Sequence, residues 1–288
     1  MRTPDSRFAD LPGFPYAPRY LEWQGLRAHY LDEGKGQATF LCLHGEPTWS
    51  YLYRRMIPVF LEHEVRVVAP DFIGFGRSDK PEDEALYTFD FHRRFLLDFI
   101  QRRDLKGITL VVQDWGGLLG LTLPMELPER FERVLLMNTM LAGGDAPLSE
   151  GFLAWRAYVA KTPDIACGKL MSRTCPHLTP QEIAAYDAPF PDPESKAGVR
   201  RFPQLVPEQR DDPGAAVSRK AKQWFASSWK GESFMAVGVK DPVLGVPVMA
   251  ELRQSIRGCP EPYRVENGGH FLQEWGDQVA AAALRHWS

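Results

Sequence analysis

Four cysteines in 288 residues are too few and too scattered for a disulfide framework. Cys42, Cys167, Cys175 and Cys259 form no C-x-x-C pair, and Cys42 lies inside an apolar run, where a buried thiol is expected. No apolar stretch reaches the roughly 20 residues of a membrane-spanning helix. Met1–Asp10 is polar and lacks the apolar centre of a secretory leader, so a cytoplasmic protein without a membrane partner is expected. Positive charge is not in excess either. The 34 Lys and Arg face 37 Asp and Glu, for a formal net charge of −3. Basic runs such as Arg200-Arg201 suit a solvated surface, so no nucleic-acid partner is expected. No internal repeat, low-complexity tract or metal-ligand cluster is visible. Gly74 and Gly76 do not follow the first strand as a dinucleotide fingerprint would require. No metal or organic cofactor is therefore expected.

What is present is 44% hydrophobic residues, enough for a large core in one domain or in a domain carrying an insertion. Short β-branched runs alternate with longer helical patterns. The spacing predicts strands over Ala38–Leu43, Val65–Ala69, Ile108–Val112, Val134–Met137 and Phe234–Val239, and weaker ones over Leu26–Leu31 and Tyr263–Val265. Runs that are apolar on both faces fit a buried parallel sheet. Phe89–Ile100, Leu118–Leu127 and Gln278–Trp287 read as helices between strands. The alternation implies an α/β fold with a mostly parallel sheet. The rhythm breaks after Asn138. From Thr139 to about Pro213 there is no buried strand, only a helical stretch at Gly151–Ala160 and eight prolines from Pro163 to Pro207. This segment, 139–212, reads as a helical cap inserted into a main domain made of 1–138 and 213–288. An irregular surface excursion is the plainer alternative, but the segment's aromatics need burial.

In an open α/β sheet, ligands sit at the carboxyl ends of strands, so reactive groups just after each strand are the candidates. Four strand ends qualify. His44-Gly45-Glu46-Pro47 follows the Ala38 strand; a loop-packing role suits His44 better than a catalytic one. Gln113-Asp114-Trp115-Gly116-Gly117 follows the most apolar strand, with the strand–turn–helix pattern of a nucleophile elbow and Asp114 where a serine is usual. A helix-capping aspartate is the alternative there. Asp241-Pro242 follows the Phe234 strand and reads as a turn or as the partner of a histidine. Gly268-Gly269-His270 follows the Tyr263 strand, where two glycines allow a sharp loop. The chain order Asp114, Asp241, His270 matches nucleophile, acid and histidine in the hydrolases that use such an elbow. All three together are far more specific than any one.

These motifs resemble those of the haloalkane dehalogenases among the α/β-hydrolases, and more closely the subfamily that includes the 1,2-dichloroethane-degrading enzyme. Phe40–Arg54, Ala69–Pro81, Val111–Gly117, Ala185–Pro191, Gly238–Asp241 and Gly269-His270 carry the resemblance. It implies about eight strands flanked by helices and a helical cap; a monomer is expected. It also implies hydrolysis of a small apolar haloalkane to a primary alcohol and a halide ion, with water as co-substrate. Asp114 would form an alkyl ester, His270 would activate the water, and Asp241 would orient His270. Backbone N–H groups of Glu46 and Trp115 would form the oxyanion hole, and the indoles of Trp115 and Trp155 would bind halide. Trp224 and Trp229 are the fallback halide donors. Phe152, Leu178, Phe190 and Leu244 are candidates for the pocket wall, each equally suited to core packing.

Three rivals stand beside this reading. An epoxide hydrolase can share the triad but needs two cap tyrosines, for which Tyr158 and Tyr186 are available; Gln113, Glu46 and Trp155 favour dehalogenation. A fluoroacetate-type enzyme would carry Arg beside Asp114, where Trp115 stands. A catalytically silent binding protein on the same fold would keep the scaffold but not need the whole triad.

Overall fold

The computed structural model describes residues 1–288. Eight strands form one sheet: β1 (Arg19–Trp23), β2 (Leu26–Glu33), β3 (Thr39–Leu43), β4 (Arg66–Pro70), β5 (Ile108–Gln113), β6 (Phe131–Met137), β7 (Glu232–Gly238) and β8 (Tyr263–Val265). Their order is β1-β2-β4-β3-β5-β6-β7-β8. β2 is antiparallel to both its neighbours, and all other pairs are parallel. The expected strands are all present, within a few residues of the expected ends. β1 is an addition. It is a half-exposed edge strand whose side chains do not alternate cleanly. It turns back onto β2 through Gln24 and Gly25, both at positive φ, with Trp23 paired to Leu26. That is the geometry of a two-residue hairpin whose twist suits the strands.

Ten helices accompany the sheet: α1 (Ile57–Leu61), α2 (Phe89–Arg102), α3 (Trp115–Gly120), α4 (Glu150–Lys161), α5 (Cys167–Thr174), α6 (Pro180–Asp187), α7 (Ala197–Arg201), α8 (Ala215–Ser227), α9 (Val246–Gln254) and α10 (Gly276–His286). None is long and apolar enough to cross a membrane. α3 corrects the expectation of a helix over Leu118–Leu127. It begins directly after Asp114 and stops at Gly120, because Pro124 lacks the N–H that would bond the Gly120 carbonyl and its ring would clash there.

Alternate strand residues separate two cores, as a period of two requires. Leu41, Leu43, Leu110, Val112, Leu136 and Val237 pack with α2, α3, α8 and α9 on one face. Phe40, Cys42, Val111, Leu135, Met137 and Ala236 pack with α1 and α10 on the other. Helices α4–α7 all lie between β6 and β7 in the chain, the segment expected to form a cap. Charge anchors α6: Arg54, just before α1, bonds Glu182 of α6 at 2.9 Å and Glu274 at 2.7 and 2.8 Å, and Glu274 also receives the hydroxyl of Tyr186 on α6. Burial disfavours a charged Glu182, but the Thr179 amide, Arg54 and Arg55 outweigh it and bring its carboxyl down to about 2.

Candidate active site

The strand order reverses direction at β3, which lies between β4 and β5. The crevice beyond the carboxyl ends of β3 and β5 is therefore the natural ligand site. The loop after β3 and the turn after β5 meet there. Asp114 sits at φ +50° and ψ −127°, a sparsely populated conformation for a residue with a side chain. Two glycines make the bend possible. A Cβ on Gly116 would lie 2.0 Å from the Leu43 carbonyl oxygen, and one on Gly117 would lie 2.0 Å from Thr139 Oγ1. The elbow is tied down by the Asp114 amide donating to Asn138 O at 3.0 Å and by Thr139 Oγ1 donating to Asp114 O at 2.8 Å. The Asp114 side chain makes no cap to α3. It points instead to the loop after β3, where the Glu46 amide donates to its Oδ1 at 2.9 Å.

His270, on the loop after β8, faces this carboxylate. Its Nε2 is 3.5 Å from Asp114 Oδ2, and its Nδ1 is 2.9 Å from Asp241 Oδ2. Asp241 follows β7 and is fully buried, whereas Asp114 and His270 keep 15% and 12% exposure, enough to meet a ligand. Burial disfavours a charged Asp241. The His270 charge and bond, the Val243 amide at 2.8 Å and Asn138 Nδ2 at 2.9 Å outweigh it and lower its pKa. Burial likewise opposes a charged His270, but Asp241 and Asp114 carry it up to about 10. So the three triad residues expected from the sequence converge, and Asn138 joins them. Asn138 gave no signal in the sequence, because its partners Gly238, Asp241 and Leu244 lie about a hundred residues further on.

The triad opens onto a cavity of about 190 Å³. Trp115 and Trp155 line it, with Phe152, Leu170, Thr174, Pro203, Pro242, Val243 and Phe271. The Trp155 Nε1–H donates to Glu46 Oε2 at 3.3 Å. Burial first, then the nearby Asp114 charge, pushes the Glu46 carboxyl well above the usual range. An indole donor aimed at this carboxyl group was not foreseen.

Three expected wall residues are elsewhere. Leu178 and Phe190 are packed into the two cores, Phe190 against Phe75. Leu244 lines a neighbouring cleft of about 50 Å³, because its backbone carbonyl is held by Asn138. Apolar residues of a cap look alike in sequence whether they meet a core or a cavity; only Phe152 met the cavity. Trp229 donates to Ser233 Oγ at 3.0 Å and borders a separate surface cleft with Trp224. Neither cap tyrosine lines the cavity. Tyr186 is fully buried against Glu274 and Arg54, and Tyr158 is 43% exposed. His44 accepts from the Phe72 amide at 3.0 Å through Nε2, the loop-packing role expected of it. No group of three or more His, Cys, Asp or Glu side chains is arranged to hold a metal ion.

Fold and site define an α/β-hydrolase with an aspartate on its elbow, and the family model for the alpha/beta hydrolase fold matches residues 38–277. A haloalkane dehalogenase of Psychrobacter cryohalolentis is 45% identical across 97% of this chain and 95% of its own length. One from Mycolicibacterium paratuberculosis is 39% identical across 100% of this chain and 97% of its own. The tetrameric haloalkane dehalogenase of Paraglaciecola agarilytica superposes with a TM-score of 0.97 at 48% identity, over 99% of this chain and 97% of that one. The chain belongs to the haloalkane dehalogenase family.

Proposed function

We propose that this protein hydrolyses small haloalkanes to a primary alcohol and a halide ion. The observation that carries the reading is a carboxylate, rather than a hydroxyl, on the elbow, 3.5 Å from an imidazole and bordering a mostly apolar cavity with two indoles. The relatives named above support it. A carboxylate attacks an sp³ carbon without needing a base. An Asp114 oxygen forms the new C–O bond as the carbon–halogen bond breaks, and the halide leaves with the electron pair. The Nε1–H groups of Trp115 and Trp155 stabilise that anion in a site shielded from water. Trp155 must then release Glu46, whose raised pKa favours a neutral carboxyl that does not repel the halide.

The second step hydrolyses the ester. While Asp114 is charged, it helps to hold a proton on His270. Alkylation removes that charge, the proton affinity of Nε2 falls, and the imidazole becomes a base. It takes a proton from water as the hydroxide oxygen adds to the ester carbon. The backbone N–H groups of Glu46 and Trp115 face the resulting oxyanion. Collapse breaks the alkoxide–carbon bond, and the alkoxide takes the proton from His270. Asp241 keeps the imidazole oriented and steadies its charge. The sum is haloalkane plus water to alcohol, halide and one proton.

In this reading residues 139–212 act as a cap on a main domain of 1–138 and 213–288, and the protein is a cytoplasmic monomer that uses water alone as co-substrate. Light scattering tests the monomer: a mass near 32.7 kDa supports it, and four times that mass would match the Paraglaciecola tetramer. Epoxide hydrolysis is disfavoured because neither Tyr158 nor Tyr186 reaches the cavity. The test is halide release from 1,2-dibromoethane and 1-bromobutane against diol formation from styrene oxide. Turnover of the epoxide alone would overturn the reading.

A further inference from the structure

Gln113 is the last residue of β5 and is fully buried, so its polar side chain needs partners. Its Nε2 lies 3.0 Å from the His270 backbone oxygen and 3.1 Å from His270 Nε2. A carbonyl oxygen only accepts, which fixes the amide nitrogen on this side. The Gln113 Oε1 then faces Gln273 Nε2 at 3.5 Å, as an acceptor should. The amide has two hydrogens, one for each His270 acceptor. His270 Nδ1–H is committed to Asp241, so a neutral ring presents a lone pair on Nε2 towards Gln113.

We propose that Gln113 is a positioning residue that stabilises the neutral, proton-accepting form of His270. The inference deepens the hydrolytic reading above and rests on His270 acting as its base. Each protonation state of Nε2 has its own partner. A protonated Nε2 pairs with the charge of Asp114, whose Oδ2 is 3.5 Å away; a neutral Nε2 accepts from Gln113. A protonated Nε2 pointed at Gln113 would set one N–H against another. While Asp114 is ionised, the charged state prevails. Once Asp114 is an ester, its charge is gone and the Gln113 bond favours the free base. The bond then yields to the attacking water. That exchange is easy because the amide stays anchored on the His270 carbonyl through its other hydrogen. The bond to Nε2, at 3.1 Å, is already longer than the usual 2.9–3.0 Å.

The sign of the test follows. A donor bonded to the neutral form disfavours the charged form, so removing it raises the pKa of His270. Gln113→Met keeps length and bulk and removes both N–H groups. In rapid-quench single turnovers of 1,2-dibromoethane, halide release by Gln113→Met should stay within about two-fold of the parent protein. The pH midpoint of alcohol formation should rise by about one unit, since one net hydrogen bond corresponds to roughly that shift. The high-pH plateau should be unchanged. Gln113→Glu, which offers an acceptor to the protonated ring, should move the midpoint further in the same direction.

A second arm does not depend on dehalogenation. Asp114→Asn imitates the uncharged ester, and ¹⁵N-histidine NMR follows the His270 titration in that background. Adding Gln113→Met should raise the His270 midpoint by about one unit. An unmoved midpoint overturns the proposal, as does equal slowing of both chemical steps at every pH, the mark of a packing role alone. If the parent protein releases no halide, the hydrolytic reading fails, and the NMR arm still decides the role of Gln113.

Discussion

The molecule contains two histidine–aspartate pairs of nearly the same geometry, and only one borders the cavity. His29 Nδ1 lies 2.7 Å from Asp71 Oδ2; His270 Nδ1 lies 2.9 Å from Asp241 Oδ2. Both aspartates are sealed, and both accept backbone N–H groups: Asp71 from Ser50 and Arg77, Asp241 from Val243. The difference lies at the far nitrogen. His29 Nε2 is buried without a hydrogen-bond partner, whereas His270 Nε2 faces Gln113, Asp114 and the cavity. An oriented imidazole is therefore not a catalyst by itself. It becomes one when its second nitrogen meets a reacting group.

Substitutions can break this comparison in both directions. The largest effect is expected of His270→Gln, which should cut steady-state turnover by at least about 10³-fold while a first burst of halide survives. His29→Gln should leave turnover per folded molecule within about two-fold, as measured by halide assay. Trp155→Phe removes one of two donors to the leaving anion and should slow halide release by about 10²-fold, with weaker halide quenching of tryptophan fluorescence. His29→Leu leaves the buried Asp71 carboxylate without its His29 hydrogen bond and should cost about 1–3 kcal/mol in denaturant unfolding. The smallest effect is the pH dependence of stability, which separates the pairs again. Burial opposes a charged Asp71, but the His29 bond and the Arg77 amide outweigh it and hold its pKa at about 2. Its contribution is present above its unfolded value near 3.8 and is lost as pH falls through 2. The His270 pKa is raised to about 10, so its contribution is full below about 6.5 and fades as pH rises through 10. Unfolding midpoints across the pH range should show an acid limb removed by His29→Leu and an alkaline limb removed by His270→Gln.

The same contrast explains what could be read from residue order. β5 was legible because Ile108–Val112 is apolar on both faces, and the elbow after it because Asp114-Trp115-Gly116-Gly117 allows few other folds. β1 was not, because in the edge strand Arg19–Trp23 only Trp23 is buried, too little to enforce alternation. The end of α3 at Gly120 is hidden by the apolar run that continues to Leu127, although Pro124 cannot continue the helix. Asp114, Asp241 and His270 were legible as strand-end residues in the right order. Gln113 and Asn138 were not given roles, because each acts through a partner a hundred or more residues away. The Arg54, Glu182 and Glu274 cluster escaped for the same reason. The wall of the cavity was the least legible part. Leu178 and Phe190, in the loops before and after α6, differ from Phe152 on α4 only in where the cap backbone aims them.

The central claim is that Asp114 bonds covalently to carbon and His270 frees it. His270→Gln mixed with 1,2-dibromoethane and digested for mass spectrometry examines both halves at once. The account predicts one bromoethyl group on the peptide carrying Asp114, persisting after the halide burst. A halide burst with Asp114 unmodified, or an adduct on a different side chain, would contradict it.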